Sequence, residues 1–203
     1  MRELVIPSSL REFFGDRQTH AELGLVLGGG TALAAGISIL GADTLLGVDW
    51  WRGAIAVLLL WDVCCGSVAN FTLGADRYYA LRPKRRWLFL AVHWHLPLIA
   101  LAVGAGVGFA VYAWAFAIVG GMAVNLLHGT RLQPPVAGLL LGAGLVGVVF
   151  AAFDGAAPAF VVAAGAVFLL KVLFAFAVTH FRGLPAEAAP PQSASADASS
   201  SSV

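Results

Sequence analysis

From Trp87 to Thr130 the chain runs 44 residues without a single Asp, Glu, Lys or Arg, and Gly104, Gly106 and Gly108 interrupt the run near its middle. As one helix it would measure about 66 Å, roughly twice the thickness of bilayer hydrocarbon, so it must cross, turn at the glycines and cross back. A soluble fold has no use for such a run. With 60% hydrophobic and 11% charged residues, the chain has too little polar surface to cover a water-soluble globule of 203 residues.

Four other charge-poor segments accompany it, and the whole reads as an all-α polytopic transmembrane bundle of six spans. The expected spans are Leu23 to Gly41, Gly53 to Ala75, Trp87 to about Gly104, about Gly108 to Thr130, Leu132 to Phe153 and Gly155 to Phe181. Basic residues fix the orientation, because Lys and Arg are retained on the cytosolic side while acids have little influence. Arg2, Arg11 and Arg17, then Arg77, Arg82, Lys84, Arg85 and Arg86, then Arg131 and Arg182 all fall on one side of a six-span path, with Arg52 opposite and Lys171 inside a span. Six crossings with both termini in the cytosol, in a cell membrane, follow from that asymmetry. Counting the long run as one span would scatter these cations over both sides.

Residues 1–21 read as a cytosolic segment, residues 22–182 as the membrane domain and residues 183–203 as a disordered cytosolic tail of Ala, Ser and Pro. Ser9 and Glu12 have capping-box spacing, which predicts a short interfacial helix with Leu10, Phe13 and Phe14 on the leaflet. Trp50, Trp51, Tyr78, Tyr79 and Trp87 are expected as interfacial anchors, and Arg82, Lys84, Arg85 and Arg86 as contacts to lipid headgroups. Gly24 with Gly28 and Gly138 with Gly142, each pair on one helix face, are expected to hold the bundle together, and an oligomer interface is the second reading of those faces. Cys64 and Cys65 are adjacent in an apolar segment and read as small packing residues.

Function must reside in the polar groups that lipid makes costly. Asp62, Gly66 and Asn70 share an arc of about 80° on the second span, and Gly121, Asn125 and His128 one of about 60° on the fourth. A related pattern of Gly, Asn, Gly and Arg in both stretches hints at repeated helix hairpins. Counting about 1.5 Å per residue from the outer ends puts Asp62 about 14 Å deep and His95 and Lys171 at about 18 to 20 Å. The two charges are near enough to pair. On a regular helix His93 and His95 point about 200° apart, so one of them at most faces the interior, and His93 is the expected one. Lys171 and His180 are similarly opposed, with His180 at the interface.

The candidate set for binding a solute or ion is therefore Asp62, Asn70, His93, Asn125, His128 and Lys171. Three functions fit it: a small-solute or ion carrier, proton-coupled through Asp62 and Lys171; an intramembrane enzyme acting on a lipid or isoprenoid from the cytosolic leaflet; and a non-enzymatic assembly subunit. No nucleophile motif, paired acidic motif or metal-ligand spacing occurs, so no catalytic residue, metal or cofactor is assigned. The lone basic cluster lies where a span ends, which argues for a lipid bilayer as the partner and against nucleic acid.

Overall fold

The computed structural model describes residues 3–181. Arg182 and the expected tail from Leu184 lie outside the described residues. Among the described residues, six helices are long and apolar enough to cross a membrane: α1 (His20–Leu40), α2 (Trp50–Ala69), α3 (Pro83–Val103), α4 (Val107–Leu126), α5 (Gln133–Phe153) and α6 (Ala159–Phe176). The chain is a multi-pass membrane protein. The long uncharged run does fold back on itself: α3 stops at Val103, and Gly104 and Gly106 take left-handed φ of 70° and 68°, which only glycine adopts without strain, before α4 begins.

Helix α6 is the most enclosed of the six and packs against each of the other spans, while α1 and α5 are the most exposed. Its Phe160, Phe168, Leu169 and Leu173 form a core with Leu60 of α2 and Leu96 and Ile99 of α3. In lipid no hydrophobic drive brings helices together, so close packing must do so. The glycines that allow it differ from those expected. A methyl built on Gly24, Gly28, Gly138 or Gly142 would touch nothing within 4 Å, so these faces are open in the single chain. The contacts are made instead at Gly30 against Cys65, Gly120 against Leu173 and Gly121 against Val172 and Leu90.

The two ends of the bundle are built differently. At the far end, Arg52 donates from Nε to the Ala102 carbonyl (2.8 Å) and from Nη2 to that of Leu101 (3.0 Å), placing a cation on the last turn of α3. The opposite, basic end gathers both ends of the described chain. Residues Glu3–Val5 and Arg17–Thr19 pair as an antiparallel ribbon, and the Asp76 carboxylate accepts from the backbone N–H groups of His180 and Phe181.

Several expectations at this end are corrected. The second span stops at Ala69 rather than Ala75, because the Thr72 side chain accepts from the Ala75 N–H and starts a separate helix, Leu73–Ala80. Ser9 and Glu12 form no capping box; Arg11–Phe14 is a single turn ended by Gly15, and Glu12 pairs with Arg85 instead. The box belongs to Thr19 and Glu22 at the start of α1, where each side chain bonds the other's backbone N–H. Phe13 and Phe14 are partly buried and pack on Val26, Cys65 and Ala69. Tyr78 and Tyr79 are buried and stack edge to face with each other.

Arg86 likewise leaves the headgroup set. Pro83 opens α3 four residues earlier than expected, so Arg86 faces inward, 2% exposed, with Nε on Asn125 Oδ1 (2.6 Å) and Nη2 on the Ala177 carbonyl (2.8 Å). Arg82 binds Asp16 at 3.2 Å and Arg85 binds Glu12, both from half-exposed positions, while Lys84 is exposed.

Candidate functional site

Helix α2 is regular from Trp50 to Ala69, so the spacing of Asp62, Gly66 and Asn70 does place them on one wall of a single cleft. What completes the cleft is a break in α3. Pro97 has no N–H to give the carbonyl of His93 four residues earlier. The helix opens there: His93 has φ −83° and ψ 67°, and the Trp94 N–H bonds back to the Val92 carbonyl at 3.0 Å, the pattern of an inverse γ-turn. Trp114 of α4 supplies the missing donor, its Nε1 lying 2.8 Å from the His93 oxygen. Below the break the half-helix Pro83–Val92 leans on α4 and on Leu73–Ala80, whereas His95–Val103 packs tightly along α2. The gap left between α2 and the lower half of α3 is the cleft.

Replacing Trp114 with Phe leaves the His93 carbonyl unpaired inside the bundle. The expected cost is about 1–3 kcal/mol, read as a lower unfolding midpoint of the purified protein in detergent.

The break also changes which histidines take part. With a γ-turn between them, His93 and His95 no longer oppose each other; their ring centroids are 5.2 Å apart and both line the cleft. His95 Nε2 lies 3.0 Å from Asp62 Oδ2. The expectation that only one of the pair faces inward is therefore overturned, and His95 is the cleft residue that helical arithmetic missed. His93 bonds through Nδ1 to the Phe89 carbonyl at 2.5 Å and stacks on the Phe89 ring. A carbonyl only accepts, so Nδ1 carries the hydrogen and Nε2 keeps the lone pair.

Lys171 enters from α6, whose last stretch, Leu170–Phe176, is wound as a π-helix, a feature often found at functional sites. The ammonium is 3% exposed and lies 2.9 Å from Asp62 Oδ2. Gly66 makes room for it, since a methyl there would fall 2.6 Å from Lys171 Nζ and Cε. Both Lys171 and His95 thus converge on one carboxylate oxygen, and among the described residues none donates to the other oxygen, Oδ1.

Two buried polar atoms at this site, Asn70 Nδ2 and His95 Nδ1, find no partner among the described residues. An unmade buried hydrogen bond costs about 1–3 kcal/mol, so atoms left in this way beside a cleft point to water or a ligand as their partner. The cleft has about 180 Å³ of water-accessible space, enough for several water molecules. Phe13, Tyr79, Leu88, Phe89 and Val92 form its apolar walls, and the Glu12–Arg85 ion pair stands at its mouth on the basic end.

The remaining candidates lie elsewhere. Asn125 is 7% exposed and occupied by Arg86, and His128 is exposed, its Nδ1 3.3 Å from Thr179 Oγ1; neither lines the cleft. The hinted repeat of α2 and α4 therefore does not extend to their surroundings. His180 sits against Phe71 and Phe174, outside the cleft as expected.

Arg11–Phe14 forms one rim of the mouth, strapped down by the Glu12–Arg85 and Asp16–Arg82 pairs and by Tyr79, whose hydroxyl donates to the Glu12 carbonyl at 2.5 Å. Burial pushes the Tyr79 hydroxyl above the usual tyrosine range, so it remains a donor at physiological pH. Tyr79→Phe removes this strap. Loss of about 1 kcal/mol predicts roughly five-fold faster tryptic cleavage after Arg11 and Arg17.

The chain matches no protein-family model, no curated protein and no solved structure.

Proposed function

We propose that the protein is a carrier in the cell membrane, with both termini cytosolic, that moves a small solute or ion and couples the movement to protons at Asp62, Lys171 and His95. The observation that carries this reading is the Asp62 carboxylate in mid-span, bound by Lys171 and His95 through one oxygen at the floor of a cleft, with unpartnered polar atoms around it. A pair serving only to lock helices is better enclosed and fully hydrogen-bonded. Leu60, Leu96, Ile99 and Phe160 are fully buried and do not line the cleft, which supports reading this as the form that faces the basic end. The γ-turn at His93 and the π-helical turns at Leu25–Gly29 and Leu170–Phe176 give α3, α1 and α6 points at which to pivot toward the opposite form.

The test is solute-driven proton flux in vesicles that hold the purified chain and a pH-sensitive dye. Flux is expected in the native protein and absent in Asp62→Asn at equal folded content. Unchanged flux in Asp62→Asn ends the carrier role of that residue.

A second reading, an enzyme acting on a lipid from the cytosolic leaflet, is favoured by the single-sided opening and by the exposure of Leu88 and Val92 on the cleft wall. It requires the native protein, and not His93→Gln, to convert a component of a bilayer lipid extract in the absence of any flux.

A further inference from the structure

The hydrogen-bonding inventory of the cleft floor is lopsided, and it selects a ligand. Asp62 Oδ1 receives nothing from the described residues, His95 Nδ1 is buried without a partner, and His93 Nε2 bears a lone pair on a ring that lines the cleft. Since His95 meets Asp62 through Nε2, that nitrogen carries the hydrogen in the neutral ring and Nδ1 is an acceptor. Asp62 Oδ1 and His93 Nε2 are thus acceptors at the cleft, with His95 Nδ1 an enclosed third in the neutral ring, against one unpartnered donor, Asn70 Nδ2. The cations near the cleft are already committed, Lys171 to Asp62 and Arg85 to Glu12.

A ligand that satisfies this floor must bring donors and positive charge. A metal ion fits poorly, because among the described residues no three His, Cys, Asp or Glu side chains are grouped to hold one. An ammonium group fits well, because it carries up to three directed N–H donors. The walls then select what is attached to it: Phe13, Tyr79, Leu88, Phe89 and Val92 offer apolar surface for an alkyl or aryl body.

We infer that the cleft binds a compact organic amine in its ammonium form, docked on Asp62 Oδ1, and that its entry displaces one proton from Lys171. This rests on the carrier reading of the same site. The charge balance gives the exchange. Asp62 and Lys171 together are neutral, and a second cation added beside them inside the membrane has no counter-charge. When RNH3+ enters, the Lys171 Nζ–H bond to Asp62 Oδ2 is given up and that proton passes to water in the cleft and out at the basic end. Lys171 remains as a neutral amine, and the site again holds one negative and one positive charge. One amine moving in is thereby matched to one proton moving out.

Calorimetry on the full chain in lipid nanodiscs tests this with 2-phenylethylammonium as the probe and phenylacetate and 2-phenylethanol as comparators. The ammonium is expected to bind, with release of about one proton when titrations in buffers of different ionisation heat are compared, while the two comparators bind at least ten-fold more weakly. Asp62→Asn is expected to weaken ammonium binding at least ten-fold. Should that variant fold poorly, Val92→Trp narrows the cleft from its lipid-exposed wall without touching the ion pair, and the same loss is expected. Preferential binding of phenylacetate would overturn the inference, as would no binding of the ammonium by folded protein. Ammonium binding without amine flux in vesicles would uphold the ligand class and remove the carrier reading. Proton flux driven by other solutes, with no amine binding, would do the reverse.

Discussion

Asp62→Ala is expected to destabilise the protein by about 3–5 kcal/mol, whereas the double variant Asp62→Ala with Lys171→Met should recover most of that loss. The asymmetry comes from where each charge sits. Lys171 is 3% exposed, and apart from the Asp62 side chain its Nζ has only the Asp62 backbone carbonyl, at 3.4 Å. Removing the carboxylate leaves a buried ammonium with that long backbone contact as its remaining protein partner among the described residues. Removing the ammonium is less severe, because the Asp62 side chain is 34% exposed to the cleft and keeps its bond to His95. The predicted order of stability is therefore double variant and native highest, Lys171→Met next and Asp62→Ala lowest. Reversible unfolding in mixed detergent micelles measures it. Simple addition of the single effects in the double variant would show that the two charges do not depend on each other.

Asp62, Gly66 and Asn70 lie on a helix without Pro or internal Gly pairs, so a step of 100° per residue found their shared wall and the depths of Asp62 and Lys171 placed them within reach of each other. The arithmetic failed one helix later because α3 is not regular. Its signal was present: Pro97 removes the hydrogen bond to His93, so the angle between His93 and His95 could not be carried across that position. Arg86 shows a different failure. Composition groups it with Arg82, Lys84 and Arg85, but Pro83 at the helix start sets the phase of α3, and only the packing of that helix on α4 shows that Arg86 turns toward Asn125. The Thr19–Glu22 box was readable from spacing alone and competes with the same spacing at Ser9 and Glu12, which fails because Glu12 is drawn to a cation 73 positions along the chain.

Gly30→Val is expected to be the second most damaging single change, costing about 3 kcal/mol or more by prising α1 from α2. Even the first carbon of a side chain at position 30 would fall 2.4 Å from Cys65 Sγ, 2.6 Å from its Cα and 2.9 Å from its N. The Cα and N belong to the backbone of α2, so no rotamer change relieves the clash and the helices must separate. Separation breaks the bond from Trp61 Nε1 to Thr31 Oγ1, 2.9 Å long, which couples the effect to an optical signal. The expected result is a lower unfolding midpoint together with a shift in tryptophan emission that is lost when Trp61 is replaced by Phe. Gly24→Val and Gly28→Val are the controls on the same helix, since their first carbons meet nothing within 4 Å. In a monomer they should change stability by less than about 0.5 kcal/mol. If they prove as harmful as Gly30→Val while the protein sediments as a monomer, the close approach at Gly30 is not what joins α1 to the bundle.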